Sequence, residues 1–425
     1  MKWRVRPSKL AGTISIPPSK SHTIRALLIA TLANGTSEIK RPLLRGDGAS
    51  AIEAARSLGA EIEFQDETLI VKGIGNDFNK GNENFYLGNS GTGTNLFASA
   101  AALGNKLRRF DGDSSLRTRP FKPLLDALKG LGVKYSLESS SGDLPFTIQG
   151  PVTGGNTTVD GVSSQFVSSL LLSCPLVKSA ETRVSVYNIH EQPYIEITIW
   201  WLKKQNIKFD YSSDFSHFTI PGNQVYTPFE IDVPGDFSSA TFSAVGAAIS
   251  GSEVNITGID FTDPQGDKGV FEVIRNAGAK MNLLTTSAAV FGNSSLKGQV
   301  MDLNAMPDAL PALSVLACAS EGTTSIVNVA QARIKETDRI KVMAEELTKM
   351  GADITERPDG LIIKQSCLHG AVVNGHDDHR VVMALALAGM IADGETVIET
   401  AEAAEVTYPS FVDDFKALGA DITII

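Results

Sequence analysis

The sequence predicts an α/β protein of two domains, each made of three repeats that bury their central helices. Three observations carry this. An apolar helical run headed by a polar turn recurs six times, at a period of roughly seventy residues. A second, amphipathic helix follows each copy and ends in a turn and a strand. The 425 residues suffice for two domains of ordinary size.

The first copy spans residues 17–37, PPSKSHTIRALLIATLANGTS. A polar turn with Lys20 and Ser21 leads into an apolar run, and Asn34-Gly35 stops it. A helix start of this kind presents free N–H groups and a positive dipole end, which suits an anion. The later copies begin at Asn89, Ser163, Asp236, Asp308 and Asp378. Each run is apolar nearly all round, so it belongs in the interior. The second helices read AARSLGAEIEF, LLDALKGLGVKY, TIWWLKKQNIKF, FEVIRNAGAKMNLL, MAEELTKMGADI and FKALGADITII. Their charged faces make them the outer layer, and only the third lacks the glycine. If three inner helices in each domain run parallel and the two domains face each other, six helix ends meet at one cleft for a strongly anionic small molecule. The domain break is placed near residues 228–234, where VYTPFEIDVPGD brings prolines, with 16–229 as the first domain and 1–15 plus 230–425 as the second.

Composition narrows the class. Charged residues at 20% and hydrophobic residues at 42% describe a soluble globular chain. A net charge of −10 argues against a nucleic-acid surface spread over the molecule, though not against a small basic pocket. Three cysteines are too few for a disulfide framework and lack metal-ligand spacing; Cys174 and Cys318 sit in apolar runs and should be buried. Residues 1–15 lack the apolar core of a signal peptide, and runs such as 381–392 are shorter than the ~18 residues of a membrane span. The expectation is a cytoplasmic protein without a membrane segment.

The turns hold the chemistry. Lys20, Ser21 and Arg25 compose a phosphate or carboxylate site. Residues 88–94, GNSGTGT, form a Gly-rich loop that lets backbone approach a ligand, without the Lys of a nucleotide-binding P-loop. Arg117 and Arg119 share one loop before a helix beginning near Pro120, a plausible anion clamp. Ser163, Ser164 and Gln165 put three hydrogen-bonding side chains at one helix start, where capping needs one. Asp308 reads as an N-cap. RIKETDR, residues 333–339, is the densest charge cluster; as a helix it would align Lys335 and Arg339, with Glu336 beside them and Ile334, Ile340 and Met343 buried beneath. His376 and His379 precede the last inner helix, but their spacing and the lack of further nearby ligands speak against a metal. Lys20, Arg25, Arg117, Arg119, Arg333, Lys335, Arg339 and Arg380 concentrate at the turns of an acidic chain, with Asp308 and Glu336 among them for acid–base work.

The turns PPSKSHTIRA, NSGT, GVSSQF, PDALPAL, RIKETDR and DDHR, in this order, resemble the 5-enolpyruvylshikimate-3-phosphate synthase family along the whole chain. The resemblance implies two domains of three βαβαββ units each, an inside-out α/β barrel that closes over its substrates. It implies transfer of the enolpyruvyl group of phosphoenolpyruvate to the 5-hydroxyl of shikimate 3-phosphate, in aromatic amino acid biosynthesis, with no metal or cofactor, by a glyphosate target. Catalytic positions would be Lys20, Asp308, Glu336 and His379. Shikimate 3-phosphate would meet Lys20, Ser21, Arg25, Ser163, Ser164, Gln165, Tyr194, Asp308, Gln331 and Lys335, and phosphoenolpyruvate Lys20, Gly91, Arg119, Gln165, Arg339 and Arg380. The chain departs from the family where Asn95 replaces an Arg, Glu191 a Ser, Val406 a Lys and Gln331 an Asn. Losing the cation at Val406 would weaken the phosphoenolpyruvate side by ~1–3 kcal/mol, with Arg117 a possible compensator.

Three alternatives frame that expectation. An enolpyruvyltransferase for UDP-N-acetylglucosamine carries a reactive loop cysteine, where this chain has Ser114-Ser115. RNA 3′-phosphate cyclases share the fold distantly, but an acidic chain without a nucleotidyl-His context fits them poorly. A binding relic of the fold, without turnover, would be motivated by Asn95, Glu191 and Val406 and opposed by Asp308, Lys335 and Glu336. The expected partners are the two small phosphorylated substrates, not nucleic acid or membrane, and the chain is expected to be a monomer.

Overall fold

A helix with apolar residues on every side can lie only at the centre of a layered unit, and the computed structural model puts six such helices there. It describes residues 1–140, 142–178, 180–251, 253–292 and 295–425. The chain forms two compact units, Pro18–Val233 on the one hand and Met1–Pro17 with Pro234–Ile425 on the other. The first holds α1 (Lys20–Leu32), α2 (Asp47–Leu58), α3 (Gly91–Ala101), α4 (Lys122–Gly130), α5 (Ser164–Ser173) and α6 (Gln192–Lys204). The second holds α7 (Phe237–Ser250), α8 (Val270–Asn276), α9 (Leu310–Ala319), α10 (Arg339–Lys349), α11 (His379–Ile391) and α12 (Phe411–Ala417). The odd-numbered helices are buried over nearly their whole length.

Each unit carries three four-stranded sheets among its described residues. A repeat reads strand, helix, strand, helix, strand, strand, as in Asn84–Tyr86, α3, Arg108–Asp111, α4, Lys134–Leu137 and Phe146–Gln149. The first pair of strands is parallel and the others antiparallel. Phe85, Phe110 and Phe146 face one another across this sheet, their rings stacked at 4.6 and 5.2 Å. The sheet thus shows one face to its helices and its charged residues to water.

Strands that sequence order would assign elsewhere complete three of the sheets. Glu230–Asp232 runs parallel to Thr36–Lys40, so the unit that starts at Pro18 closes its first sheet with its own last strand. The chain passes to the other unit at Val233–Pro234, four residues later than the sequence reading placed it. Gly12–Ser15 pairs with Glu253–Thr257, and Trp3–Arg6 lies between Thr396–Glu399 and Asp421–Ile424. Strand pairing decided these boundaries, and pairing partners far apart in sequence leave no local signal.

The inner helices of each unit touch. Asn95 meets Gln165 and Ser99 meets Ser169, two contacts one helical turn apart on both helices, so α3 and α5 run parallel with their N-termini level. Arg25 reaches Ser168, which places the start of α1 beside them. Small residues permit such close approach. A Cβ at Gly246 on α7 would stand 2.8 Å from Leu10 and 3.2 Å from Leu387 of α11. The helix α6, read from sequence as part of the outer layer, packs on both α1 and α5 and buries Thr198 and Trp201 completely. Its Trp201 indole donates to Nδ1 of His22 at 3.2 Å. No helix is long and apolar enough to cross a membrane among the described residues.

Candidate active site

At the helix starts of the Pro18–Val233 unit a serine of each polar turn is the cap. Ser19, Ser90 and Ser163 accept backbone N–H bonds from His22, Gly93 and Gln165. Lys20 extends from α1 to Asp47 of α2, 3.2 Å away, with both side chains largely buried. Arg25 is 2% exposed and is held by neutral groups: Nε donates to Thr198 at 2.9 Å, Nη1 to the Ser21 carbonyl at 3.0 Å, and Nη2 to the Tyr194 carbonyl at 3.1 Å and to Ser168. Burial pushes its guanidinium down to about 10, the direction that reports a charge removed from water. Ser21 and Tyr194 are half-buried beside it.

A second cluster gathers at α3 and α5. Arg119 donates to Asn89, and its Nη1 lies 2.7 Å from where a Cβ on Gly91 would be. A glycine is what lets that guanidinium lie against the helix start. Gln165 accepts from Asn95 at 2.8 Å, and Asn95 donates also to the Gly91 carbonyl at 3.0 Å. Ser164 donates its hydroxyl to Glu191 at 2.8 Å, and its backbone N–H points to the same oxygen at 3.3 Å. Glu191 is 1% exposed and in the left-handed region at φ 56°. Arg117 is engaged elsewhere: its guanidinium is bound bidentately by Asp111 and half-exposed. Burial raises Asp111, but bonds from Arg117 and the Gly112 N–H outweigh it and leave its carboxyl below the usual range.

In the other unit the centre is Arg339, with its side chain 1% exposed. Its Nε donates to Asp378 at 2.8 Å, Nη1 to Asp308 at 2.7 Å and Nη2 to Glu336 at 2.6 Å. Arg380 reaches the other oxygen of Asp308 at 2.9 Å. Burial opposes the charge on Arg339, and Asp378, Glu336 and Asp308 overcome it, holding its pKa well above the usual value. Asp378 also caps α11 through the Arg380 N–H, and Nδ1 of His379 lies 4.0 Å from it. Gln331 is buried in the short turn Ala330–Ile334 and donates to the Asn304 carbonyl at 3.2 Å; Lys335 ends that turn, half-buried.

Four readings of this unit change. Asp308 is not an N-cap: α9 begins after the turn Pro307–Ala309 with Ala309 as its cap, and the Asp308 carboxylate serves the two arginines instead. The RIKETDR stretch is not one helix, because Asp338 caps α10 and α10 starts only at Arg339. Ile334 is 38% exposed while Ile340 and Met343 are buried, since only the latter two lie on α10. Arg333 faces the Asp353–Arg357 hairpin, donating to the carbonyls of Pro358 and Arg357 and pairing with Glu356 and Asp338.

His376 also gains neighbours that sequence spacing did not show. It lies with Glu345 and Glu346 in a group whose ligand atoms fall within 4.8 Å of one another. Glu346 is already engaged by His376 at 2.7 Å, the Asn374 N–H at 3.0 Å and the Lys349 ammonium at 2.8 Å. The Lys349 ammonium thus already pairs with Glu346, and the group ties α10 to the turn that carries Asp378. Asp47, Asn95, Glu191 and Thr198 are contacts of the two clusters in the Pro18–Val233 unit that sequence reasoning did not assign; for Asn95 and Glu191, the departure from family pattern was the available signal.

Over residues 5–415 the chain matches the family described as EPSP synthase (3-phosphoshikimate 1-carboxyvinyltransferase). It is 48% identical to the 3-phosphoshikimate 1-carboxyvinyltransferase of Acetivibrio thermocellus, covering 100% of this chain and 99% of that one. The enzyme of that name from Ruminiclostridium cellulolyticum is also 48% identical, over 100% of both chains. Among solved structures, EPSP synthase from Acinetobacter baumannii superimposes with a TM-score of 0.82 at 26% identity over 100% of both chains. The enolpyruvyl transferase NikO of Streptomyces tendae, at 16% identity and a TM-score of 0.79 over 99% of this chain and 98% of that one, shares the fold.

Proposed function

Because this chain belongs to the EPSP synthase (3-phosphoshikimate 1-carboxyvinyltransferase) family, we propose that the helix-end groups of both units serve that one reaction. The chain is an enzyme that transfers the enolpyruvyl group of phosphoenolpyruvate to shikimate 3-phosphate and releases phosphate. The 5-hydroxyl oxygen bonds to C2 of phosphoenolpyruvate as its methylene carbon takes a proton, giving a tetrahedral intermediate. Loss of a proton from the new methyl group and departure of phosphate from C2 then restore the double bond.

The division of labour follows the chemistry of each half-site. Lys20, Ser21, Arg25, Ser163, Ser164, Gln165 and Tyr194 hold shikimate 3-phosphate, with Gln331 and Lys335. Arg119, Arg339, Arg380, Lys20 and Gln165 hold phosphoenolpyruvate, and Gly91 leaves room for the Arg119 guanidinium. Asp308 takes the hydroxyl proton, and Glu336 delivers a proton to the methylene and later removes one. Lys20 shares in that proton traffic and His379 adds an imidazole next to Asp378. What supports the roles of Asp308 and Glu336 is that one buried guanidinium, Arg339, fixes both carboxylates. Such preorganisation is what an addition–elimination needs.

We read the chain as a cytoplasmic monomer with no nucleic-acid partner, in keeping with its net charge of −10. Incubation with shikimate 3-phosphate and phosphoenolpyruvate should release inorganic phosphate. UDP-N-acetylglucosamine in place of shikimate 3-phosphate should release none. Binding of both substrates without phosphate would instead mark a relic of the fold, and release with the nucleotide sugar would reassign the acceptor.

A further inference from the structure

We propose that Asn95 is a positioning residue that sets the amide of Gln165, so that the Gln165 NH2 group, not its oxygen, faces phosphoenolpyruvate. The inference rests on the assignment of Gln165 to the phosphoenolpyruvate site. Asn95 sits in the first turn of α3, 3% exposed. Its side-chain nitrogen lies 3.0 Å from the Gly91 carbonyl. A carbonyl oxygen only accepts, so the Asn95 amide has one admissible orientation, NH2 toward Gly91. That same nitrogen lies 2.8 Å from the Gln165 side chain. Its two N–H groups are therefore spent on Gly91 and Gln165, and the atom that Gln165 turns toward it must be Oε1.

The consequence falls on the far end of Gln165. With its oxygen engaged, its NH2 is left pointing away from Asn95 as a pure donor, the polarity that a carboxylate or phosphate ligand requires. Rotating the Gln165 amide by half a turn would set two NH2 groups against each other at 2.8 Å and turn an oxygen toward the anion. The distance is held from below. Ser99 and Ser169, one turn further along the same two helices, hydrogen-bond at 2.5 Å, and Ser169 donates to the Asn95 carbonyl. The lock is thus a chain from a backbone carbonyl, through one amide, to a second.

Steady-state kinetics of phosphate release test it. Asn95→Ala removes the donor without adding charge and should raise the KM for phosphoenolpyruvate by about tenfold, the scale of one lost hydrogen bond. In a Gln165→Ala background the same substitution should change that KM less than about twofold, because there is no longer an amide to orient. An equal rise in both backgrounds, as loosened helix packing would give, overturns the proposal. So does an unchanged KM in the single variant. Gln165→Glu provides the check that does not depend on Asn95→Ala folding: it keeps an oxygen for Asn95 and replaces the outward NH2 with an acceptor. It should raise the phosphoenolpyruvate KM more than tenfold at an unaltered melting temperature, and wild-type affinity in that variant overturns the proposal too. A wild-type protein that released no phosphate would sink the reaction assignment first, before any variant is compared.

Discussion

At the helix ends of the Pro18–Val233 unit the buried guanidinium of Arg25 rests on neutral groups, while Lys20 on the same helix pairs with Asp47; in the other unit the buried guanidinium of Arg339 rests on acids. Arg25 has hydroxyls and carbonyls as partners. Arg339 has Asp378, Asp308 and Glu336, and Arg380 shares Asp308. Two units of one architecture therefore divide the electrostatics of these guanidinium groups. A guanidinium among neutral acceptors keeps its charge to offer an incoming anion. One wrapped in carboxylates has spent its charge on fixing them, and what it presents to a ligand is a set of positioned acids. The contrast suits the proposed reaction, which must both grip phosphorylated molecules and move protons.

The largest test is on the acids. Asp308→Ala should lower kcat by about 10²–10⁴ with the fold intact by circular dichroism; a near-normal kcat would remove Asp308 from the proton-transfer role. Next comes the contrast itself. Arg339→Ala leaves Asp378, at 0% exposure, without its guanidinium and should cost about 3–5 kcal/mol in chemical denaturation. Arg25→Ala leaves only neutral acceptors and should cost about 1–3 kcal/mol. Equal losses would show that partner charge does not distinguish the two.

In the acid-rich unit, acid should act through Glu346. Burial raises the Glu346 carboxyl, but bonds from His376, Lys349 and the Asn374 N–H bring it down to about 2. A folded-state pKa below the unfolded value of ~4.5 means stability that is present above that pH and lost as pH falls toward 2. Glu346→Gln should flatten this part of the stability profile between about pH 5 and 2; an unchanged profile would assign the acid sensitivity elsewhere. The smallest effect concerns Glu191, whose carboxylate already occupies the start of α5 through Ser164. Glu191→Gln keeps an acceptor for Ser164 and removes a charge that repels the substrate phosphate, so the KM for shikimate 3-phosphate should fall about threefold, on the scale of a charge–charge repulsion several ångströms long and screened by water. A rise would give the carboxylate a direct part in binding.

Much of the site was legible because it is written at helix starts, where composition is local. Ser19, Ser90, Ser163, Asp236 and Asp378 cap the five helices for which sequence proposed such a turn and structure shows a side-chain cap. Asp308 misled because an aspartate before an apolar run has the composition of a cap whether or not two arginines claim it first. RIKETDR misled for a similar reason: helical charge spacing is visible in sequence, while a cap at Asp338 that interrupts it is a matter of geometry.

Periodicity and local polarity alone determined that six apolar helices lie at the centres of repeated α/β units, since a helix with no wet face has nowhere else to go. They also determined that the polar turns ahead of those helices would gather cations. Only tertiary structure decided which partner each cation holds. Lys20 with Asp47, Asn95 with Gln165, Glu191 with Ser164 and Arg339 with three carboxylates join residues from different elements. Hydrogen bonds act over about 3 Å whatever the sequence separation, so these pairings exist only once the strands and helices have been brought side by side.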